Sequence, residues 1–217
     1  MKKILYSLLT LVLGLVLSSS SCTTTIDPFD PSIYDEGVTI NSVTWATRNV
    51  GAPGKFATKP DDPGMFYQFN RKVGWSATNP RTSSPSGRSW TYSPGTTAWS
   101  SANDPCPDGW RVPSWEELRR LTDTGVLLDT YSGVKGAYFG SPVLPLELRV
   151  FLPAAGCRED DGSLYEAGVG IIGAYWTSDQ ALYDDTYGYW LFIRSDGYNF
   201  SDGYEKVAGL SVRCVKI

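Results

Sequence analysis

Histidine is absent from all 217 residues, which removes the commonest general base, proton shuttle and metal ligand together. Clustered cations are missing as well. Nineteen basic side chains are scattered among 23 acidic ones for a formal charge of −4, and phosphate backbones are gripped by grouped Lys and Arg, so no nucleic-acid partner is expected. Long helical patterns are scarce. What the chain carries in quantity is Gly, Pro, Tyr and Trp (22, 14, 13 and 8 residues) within 41% apolar content. That is the composition of a loop-rich, mostly β, exported domain with enough apolar material for one globular unit.

The amino terminus points to a compartment. Lys2-Lys3 precedes the apolar run Ile4–Leu17, which is short for a bilayer span but suited to a signal-peptide core. Ser18-Ser-Ser-Ser-Cys22 follows and resembles a bacterial lipoprotein signal, with residues 1–21 removed and Cys22 acylated. Ser19 departs from the aliphatic residue usual at that place. Acyl chains on Cys22 bind a membrane at about 0.8 kcal/mol per buried methylene. The expected location is the cell envelope, lipid-anchored in the outer membrane and surface-exposed. Residues 22–37, with Thr23-Thr-Thr, Asp27-Pro28, Asp30-Pro31 and Asp35-Glu36-Gly37, have little to bury and read as a tether. The folded domain is expected over 38–217.

Within it, Ser114 followed by Glu117 has capping-box spacing, and Trp115, Leu118 and Leu121 recur at helical intervals up to Gly125. Gly209–Ile217 alternates as a closing strand, with Leu210, Val212 and Cys214 on one face. Cys106, just before the helix, and Cys214, on that strand, are candidate partners. A bridge between them closes a loop of roughly 108 residues, about 4–5 kcal/mol in the chain-entropy model, and export makes it chemically reasonable. Val38–Trp45, Leu148–Ala154, Ala174–Ser178 and Tyr187–Arg194 read as further strands, and Arg158–Ser163 as a hairpin turn. Residues 46–105 are turn chemistry set with Phe56, Phe66, Tyr67, Phe69, Trp75, Trp90, Tyr92 and Trp99, which we read as anchors pinning long ordered loops to a small sheet. Sugar stacking is the less common use of such rings. The fold class is α+β, with a twisted, mainly antiparallel sheet and one or two helices.

Trp45-Ala-Thr-Arg-Asn-Val50, Tyr67-Gln68, Pro105-Cys-Pro-Asp-Gly-Trp-Arg-Val-Pro-Ser-Trp-Glu-Glu-Leu118, Leu152-Pro-Ala-Ala-Gly156, Tyr175-Trp-Thr-Ser178 and Gly209-Leu-Ser-Val-Arg-Cys-Val215 occur in that order. Together they resemble the Fibrobacter succinogenes major paralogous domain of exported bacterial proteins, over about residues 38–217. The resemblance implies a C-type-lectin-like fold with the Cys106–Cys214 bridge, and no defined biochemical activity.

The segment from Tyr175 to Tyr204 carries the candidate chemistry: ten of its thirty residues are aromatic, interleaved with Asp179, Asp184, Asp185, Asp196, Asn199, Asp202 and Glu205. Alternation puts Tyr187, Tyr189, Leu191 and Ile193 on one strand face and Gly188, Trp190, Phe192 and Arg194 on the other. If the first face is core, the second needs covering loops or a ligand. Ser195-Asp-Gly-Tyr198 and Ser201-Asp-Gly-Tyr204 repeat one turn chemistry, and Tyr, Ser, Asp, Asn and Gly together make a paratope-like composition. The expected ligand surface comprises Tyr183, Asp184, Asp185, Tyr187, Trp190, Phe192, Arg194, Asp196, Tyr198, Asn199, Phe200, Asp202, Tyr204 and Glu205, and its ligand is an extracellular protein or glycan. The same segment resembles the variable region of retroelement-diversified proteins with the lectin-like fold.

Calcium-dependent sugar binding lacks its motifs: neither Glu-Pro-Asn nor Gln-Pro-Asp nor Trp-Asn-Asp occurs, and no calcium-loop spacing organises Asp160-Asp161, Asp184-Asp185 and Asp202. No metal or cofactor is expected. Formylglycine-generating enzymes share the lectin-like fold but use a pair of active-site cysteines, whereas Cys157 would be the only thiol left over. A small buried residue is its commoner role. Close acids such as Glu159 and Asp160 offer glycosidase-like chemistry only in principle. The expectation is a non-catalytic binding protein, with a structural or adhesive fibre subunit as the alternative.

Overall fold

The computed structural model of the chain describes residues 30–95, 97–200 and 203–217. Cys22 and the expected signal segment lie outside the described residues, as does Asp202. In chain order the elements are β1 (Val38–Ile40), β2 (Val43–Asn49), β3 (Met65–Gln68), β4 (Gly74–Ser76), β5 (Ser83–Ser84), β6 (Trp110–Arg111), α1 (Trp115–Thr122), β7 (Val126–Tyr131), β8 (Val134–Phe139), β9 (Val150–Pro153), β10 (Gly173–Gln180), β11 (Tyr187–Arg194), β12 (Gly197–Asn199), β13 (Tyr204–Glu205), β14 (Gly209–Leu210) and β15 (Arg213–Lys216). The strands form four small sheets in the orders β1-β2-β15-β6, β14-β3-β4-β5, β7-β8-β9 and β10-β11-β12, with β13 also on β11. Every pairing between these strands is antiparallel. With one α-helix among the described residues, the protein is small, mainly antiparallel and α+β-like.

Helix α1 forms where the capping chemistry places it. The Ser114 hydroxyl accepts from the Glu117 amide at 3.2 Å and the Glu117 carboxylate accepts from the Ser114 amide at 2.8 Å, which satisfies two amides that a helix start leaves without intrahelical partners. Asp179 accepts from a third, the Trp115 N–H, at 2.6 Å, so one acid of the aromatic-rich segment is engaged at the helix start. Glu117 also takes a two-pronged contact from Arg111, at 2.8 and 2.6 Å. The helix turns Leu118 and Leu121 inward.

Those leucines join Trp45, Phe139, Leu152, Tyr175, Leu191, Ile193 and Val215 in one hydrophobic cluster. A second cluster gathers Phe69, Trp110, Val112, Cys157, Trp176, Trp190, Leu210 and both bridging cysteines. Alternation along β10 and β11 feeds both: Ala174, Trp176 and Trp190 enter one cluster while Tyr175, Leu191 and Ile193 enter the other. These strands are a partition with core on each side, and a partition strand has less free surface than a sheet with one wet face. The Cys106–Cys214 disulfide is formed, spanning 108 residues. Asp104 positions its first half by accepting from the Cys106 and Val112 amides at 2.9 and 3.0 Å.

The irregular region 46–105 is pinned as expected. Phe56, Phe66, Tyr67, Phe69, Trp75 and Trp90 are buried, whereas Tyr92 is exposed. The ordered chain reaches further upstream than the expected boundary at Val38. Asp35 is buried, accepts from the Gly37 and Thr47 amides and pairs with Arg48 at 3.1 Å, so the end of the supposed tether is part of the domain.

Three cations are sunk into the fold on neutral oxygens. Arg158, which the sequence places in a hairpin turn, is fully buried and donates to the carbonyls of Ser76, Thr78 and Gly162 at 2.9, 2.7 and 2.9 Å. Arg213 donates to the Asn49 side-chain oxygen at 3.0 and 2.8 Å and to the Ala46 carbonyl at 3.0 Å, and burial pulls its pKa down to about 10. Lys206 donates to the carbonyls of Asp185, Gly95 and Thr97 at 2.6, 2.9 and 3.4 Å and to the Gln180 side chain at 3.2 Å. Each ties together segments distant in sequence, which is how long loops are held without regular structure.

Candidate functional site

Strand β11 is the spine of the candidate surface, with β12 and β13 both paired along it. Phe192 lies opposite Asn199, Ile193 opposite Tyr198 and Arg194 opposite Gly197, while Tyr187 lies opposite Glu205 and Gly188 opposite Tyr204. The expected residues therefore separate into a group at each end of an eight-residue strand, roughly 20 Å apart at strand rise.

At the β12 end, Phe192, Arg194, Asp196, Gly197, Tyr198 and Asn199 converge on a cleft of about 330 Å³. Arg194 forks onto Asp196, Nε to Oδ1 at 3.1 Å and Nη2 to Oδ2 at 2.7 Å. This contact holds the Asp196 carboxyl below its ordinary range and the Arg194 guanidinium above its own. Both side chains are exposed, so the pair adds little to stability, but it sets a planar cation and an anion in fixed register beside two rings. The Tyr198 hydroxyl donates to the Thr122 carbonyl at the end of α1 at 3.3 Å, and its ring meets Phe139 and Phe200 edge-on. Phe200 in turn rests on Trp115. The cleft wall is thus braced against the helix.

At the β13 end, the Asp184 carboxylate accepts from the amide and hydroxyl of Thr186 at 2.8 and 2.7 Å, a local turn that lowers its pKa. Tyr183 and Tyr187 lie ring to ring at 6.1 Å. The Tyr187 hydroxyl donates to Glu205 at 3.4 Å, and the charge on Glu205 pushes the Tyr187 pKa up. Asp185 contributes its carbonyl to Lys206, which fastens this loop to the body of the protein.

Between the two ends, the expected exposure of one residue is corrected. Trp190 is only 8% exposed and belongs to the core. Tyr204 stacks on it at 4.5 Å and Phe192 packs at 5.0 Å. The Tyr204 hydroxyl donates to Glu159 at 3.3 Å, and burial pushes its pKa well above the ordinary tyrosine range. Covering protein, rather than open surface, occupies this face of β11. Gly188 explains why β11 lies so close to its neighbour, since a Cβ there would meet the Phe69 ring at 2.4 Å.

Other polar groups resolve into structure. Cys157 is buried, and desolvation followed by the charge of Glu159 pushes its thiol up to about 12, a state opposite to that of a reactive thiolate. Asp161 accepts from the Ser163 amide at 2.7 Å as a turn. Among the described residues, no three His, Cys, Asp or Glu side chains gather to hold a metal. Sequence reasoning missed an apolar hollow of about 580 Å³ whose walls include Val134, Pro153, Ala155, Val169 and Ile171. The signal for it was the run Val169-Gly-Ile-Ile172, too apolar for the loop it occupies.

Comparison of the chain with protein-family models, with curated proteins and with solved structures finds no match.

Proposed function

We propose that this chain is an exported lipoprotein, anchored to a membrane through Cys22, whose single C-type-lectin-like domain recognises an extracellular protein or glycan without catalysis and without calcium. One observation carries the binding reading: Phe192, Arg194, Asp196, Tyr198 and Asn199 meet in one exposed polar cleft built on a strand whose body is core. A rigid support with an aromatic and polar rim is how recognition surfaces lower the ordering cost of binding. The lectin-like fold is supported by the bridge from the segment that leads through β6 into α1 to strand β15 and by the meeting of β1, β2 and β15 in one sheet. The forked Arg194–Asp196 pair suits ligands that offer both a hydrogen-bond donor and an acceptor, as sugars and peptide backbones do.

The test is an array of glycans and surface proteins probed with the chain, with and without a calcium chelator, alongside Arg194→Ala combined with Asn199→Ala. Binding that survives chelation and disappears in the variant is expected. Binding that the variant retains would place recognition elsewhere, and binding lost with chelator would overturn the calcium-independent reading.

A second reading, a structural or adhesive fibre subunit, is favoured by a different feature, the exposed apolar strand β7.

A further inference from the structure

The hollow of about 580 Å³ is walled by Pro63, Val134, Pro153, Ala155, Val169 and Ile171. It shares no lining residue with the cleft at β12, and its size lies within the roughly 300–1,000 Å³ of pockets that take small molecules. It continues into a smaller hollow of about 260 Å³, because Lys135, Ala154, Gly170 and Ile171 line both. Val169 and Ile171 are 48 and 52% exposed, yet the loop that carries them is fixed. The Gly170 amide donates to the Ala154 carbonyl and the Gly156 amide to the Ile172 carbonyl, both at 2.8 Å. The wall at Ala77 and Thr78 is held by Arg158 on the Thr78 carbonyl at 2.7 Å, and Asn79 ties it to Glu166 at 2.8 Å. Apolar side chains on so rigid a frame receive a ligand at little ordering cost.

Two charged groups of this hollow have no structural task, although the acids near them do. Asp62 accepts from the Thr58 hydroxyl at 3.0 Å and the Gly64 amide at 2.9 Å, and Glu166 is taken by Asn79. Asp61 lines the hollow, and its Oδ1 is buried with no hydrogen-bond partner among the described residues. A buried acceptor in that state has lost its hydration without return, which a donor entering the hollow would supply. Lys135 lines both hollows, and its ammonium makes no ion pair or hydrogen bond among the described residues. The site thus offers one acceptor and one cation, not paired with each other, around apolar walls.

We infer that this hollow is a second binding site, for a short apolar peptide with free ends. The peptide's ammonium donates to Asp61, its carboxylate pairs with Lys135 and its side chains cover Val169 and Ile171. An apolar acid would leave the Asp61 oxygen unpartnered, and an apolar amine would leave Lys135 unpaired. A sugar would set hydroxyls against Pro153, Val169 and Ile171, where they find no partner. Only a ligand with an apolar body and a charge of each sign answers all three features.

Titration calorimetry of the full chain in lipid nanodiscs, with empty discs subtracted, tests this with trileucine as the probe. Trileucine with free ends is expected to bind. Acetylating its amino end or amidating its carboxyl end should each weaken binding about tenfold or more. In Asp61→Ala the acetylated and free peptides should bind alike, and in Lys135→Met the amidated and free peptides should. Lys135→Arg, which keeps the charge, should keep the amidation penalty. Ile171→Asp, at an exposed position, should weaken every form, whereas Asn199→Ala, in the cleft at β12, should change nothing. Absence of binding to the parent chain would overturn the inference, as would equal binding of capped and free peptides. Capping penalties that persist in Asp61→Ala and Lys135→Met, or binding lost in Asn199→Ala, would overturn it too, by placing the peptide elsewhere. Unchanged thermal melting of each variant separates lost binding from lost fold. Because the two sites share no lining residue, failure of either leaves the other interpretable.

Discussion

Trp190 and Tyr204 lie stacked, ring centroids 4.5 Å apart and planes 28° from parallel. Their contact lies midway along β11, between the two ends where exposed side chains gather. Removing either ring tests the core and not the ligand surface. Trp190→Ala is expected to cost about 3–5 kcal/mol, as for other large core truncations, read as a lower denaturant midpoint at unchanged slope. Arg194→Ala, on the exposed rim, should stay within about 0.5 kcal/mol of the parent. Equal midpoints for the two variants would return Trp190 to the surface.

The Cys157 thiol is expected to stay unreactive toward a disulfide reagent at mildly alkaline pH while the protein is folded, and to react once it is unfolded. The sign for stability follows from its raised pKa. The folded state still holds the proton at a pH where the unfolded thiol, near 9, has lost it, and the folded value is about 12. This contribution is therefore fully present below pH 9 and falls as pH rises toward 12. Cys157→Ala should flatten that part of the stability profile, and rapid labelling of the folded protein at the same rate as the unfolded one would contradict the assignment.

Lys206 holds the loop between β10 and β11 through the Asp185 carbonyl. Lys206→Met keeps the stem's packing and leaves carbonyl oxygens of Asp185 and Gly95 without their donor. The expected loss is about 1–3 kcal/mol, with faster amide exchange concentrated at residues 182–187. Uniform exchange rates across parent and variant would mean that the loop is held by other contacts.

The bridge between Cys106 and Cys214 closes a loop of 108 residues. Replacing both cysteines by alanine should lower stability by about 4–5 kcal/mol, the chain-entropy figure for a loop of that size. Comparison of denaturation midpoints with and without reductant checks this. No shift would mean that the cores alone define the unfolded-to-folded difference.

Much of this arrangement was legible where a local rule applies. Ser114 and Glu117 announced the helix start because capping is a matter of neighbours in sequence. The limits of β11 and the division of its two faces followed from period two, and Cys106 and Cys214 were marked by their places beside a helix and on a strand. What escaped reading depends on distant partners. The hairpin β7–β8 went unseen because Val126-Leu-Leu-Asp-Thr-Tyr131 does not alternate: both of its faces are exposed, so nothing selects apolar residues on one of them. The burial of Arg158 has no sequence signal, since its acceptors are the carbonyls of Ser76, Thr78 and Gly162. The burial of Trp190 is equally silent in sequence, because alternation tells which face a side chain is on, not whether a third layer covers it.

The sheet order β1-β2-β15-β6 has a consequence for how the protein comes to be folded. β15, near the end of the chain, lies between a strand from its beginning and one from its middle. Cys214 and Val215 enter different clusters. During synthesis neither cluster is complete until these residues have emerged, and the pairings of β15 join it to β2 and β6, each far upstream in the chain. Such non-local closure is slow because the loop entropy is spent before the contacts form. The chain therefore waits, unclosed, for its last strand.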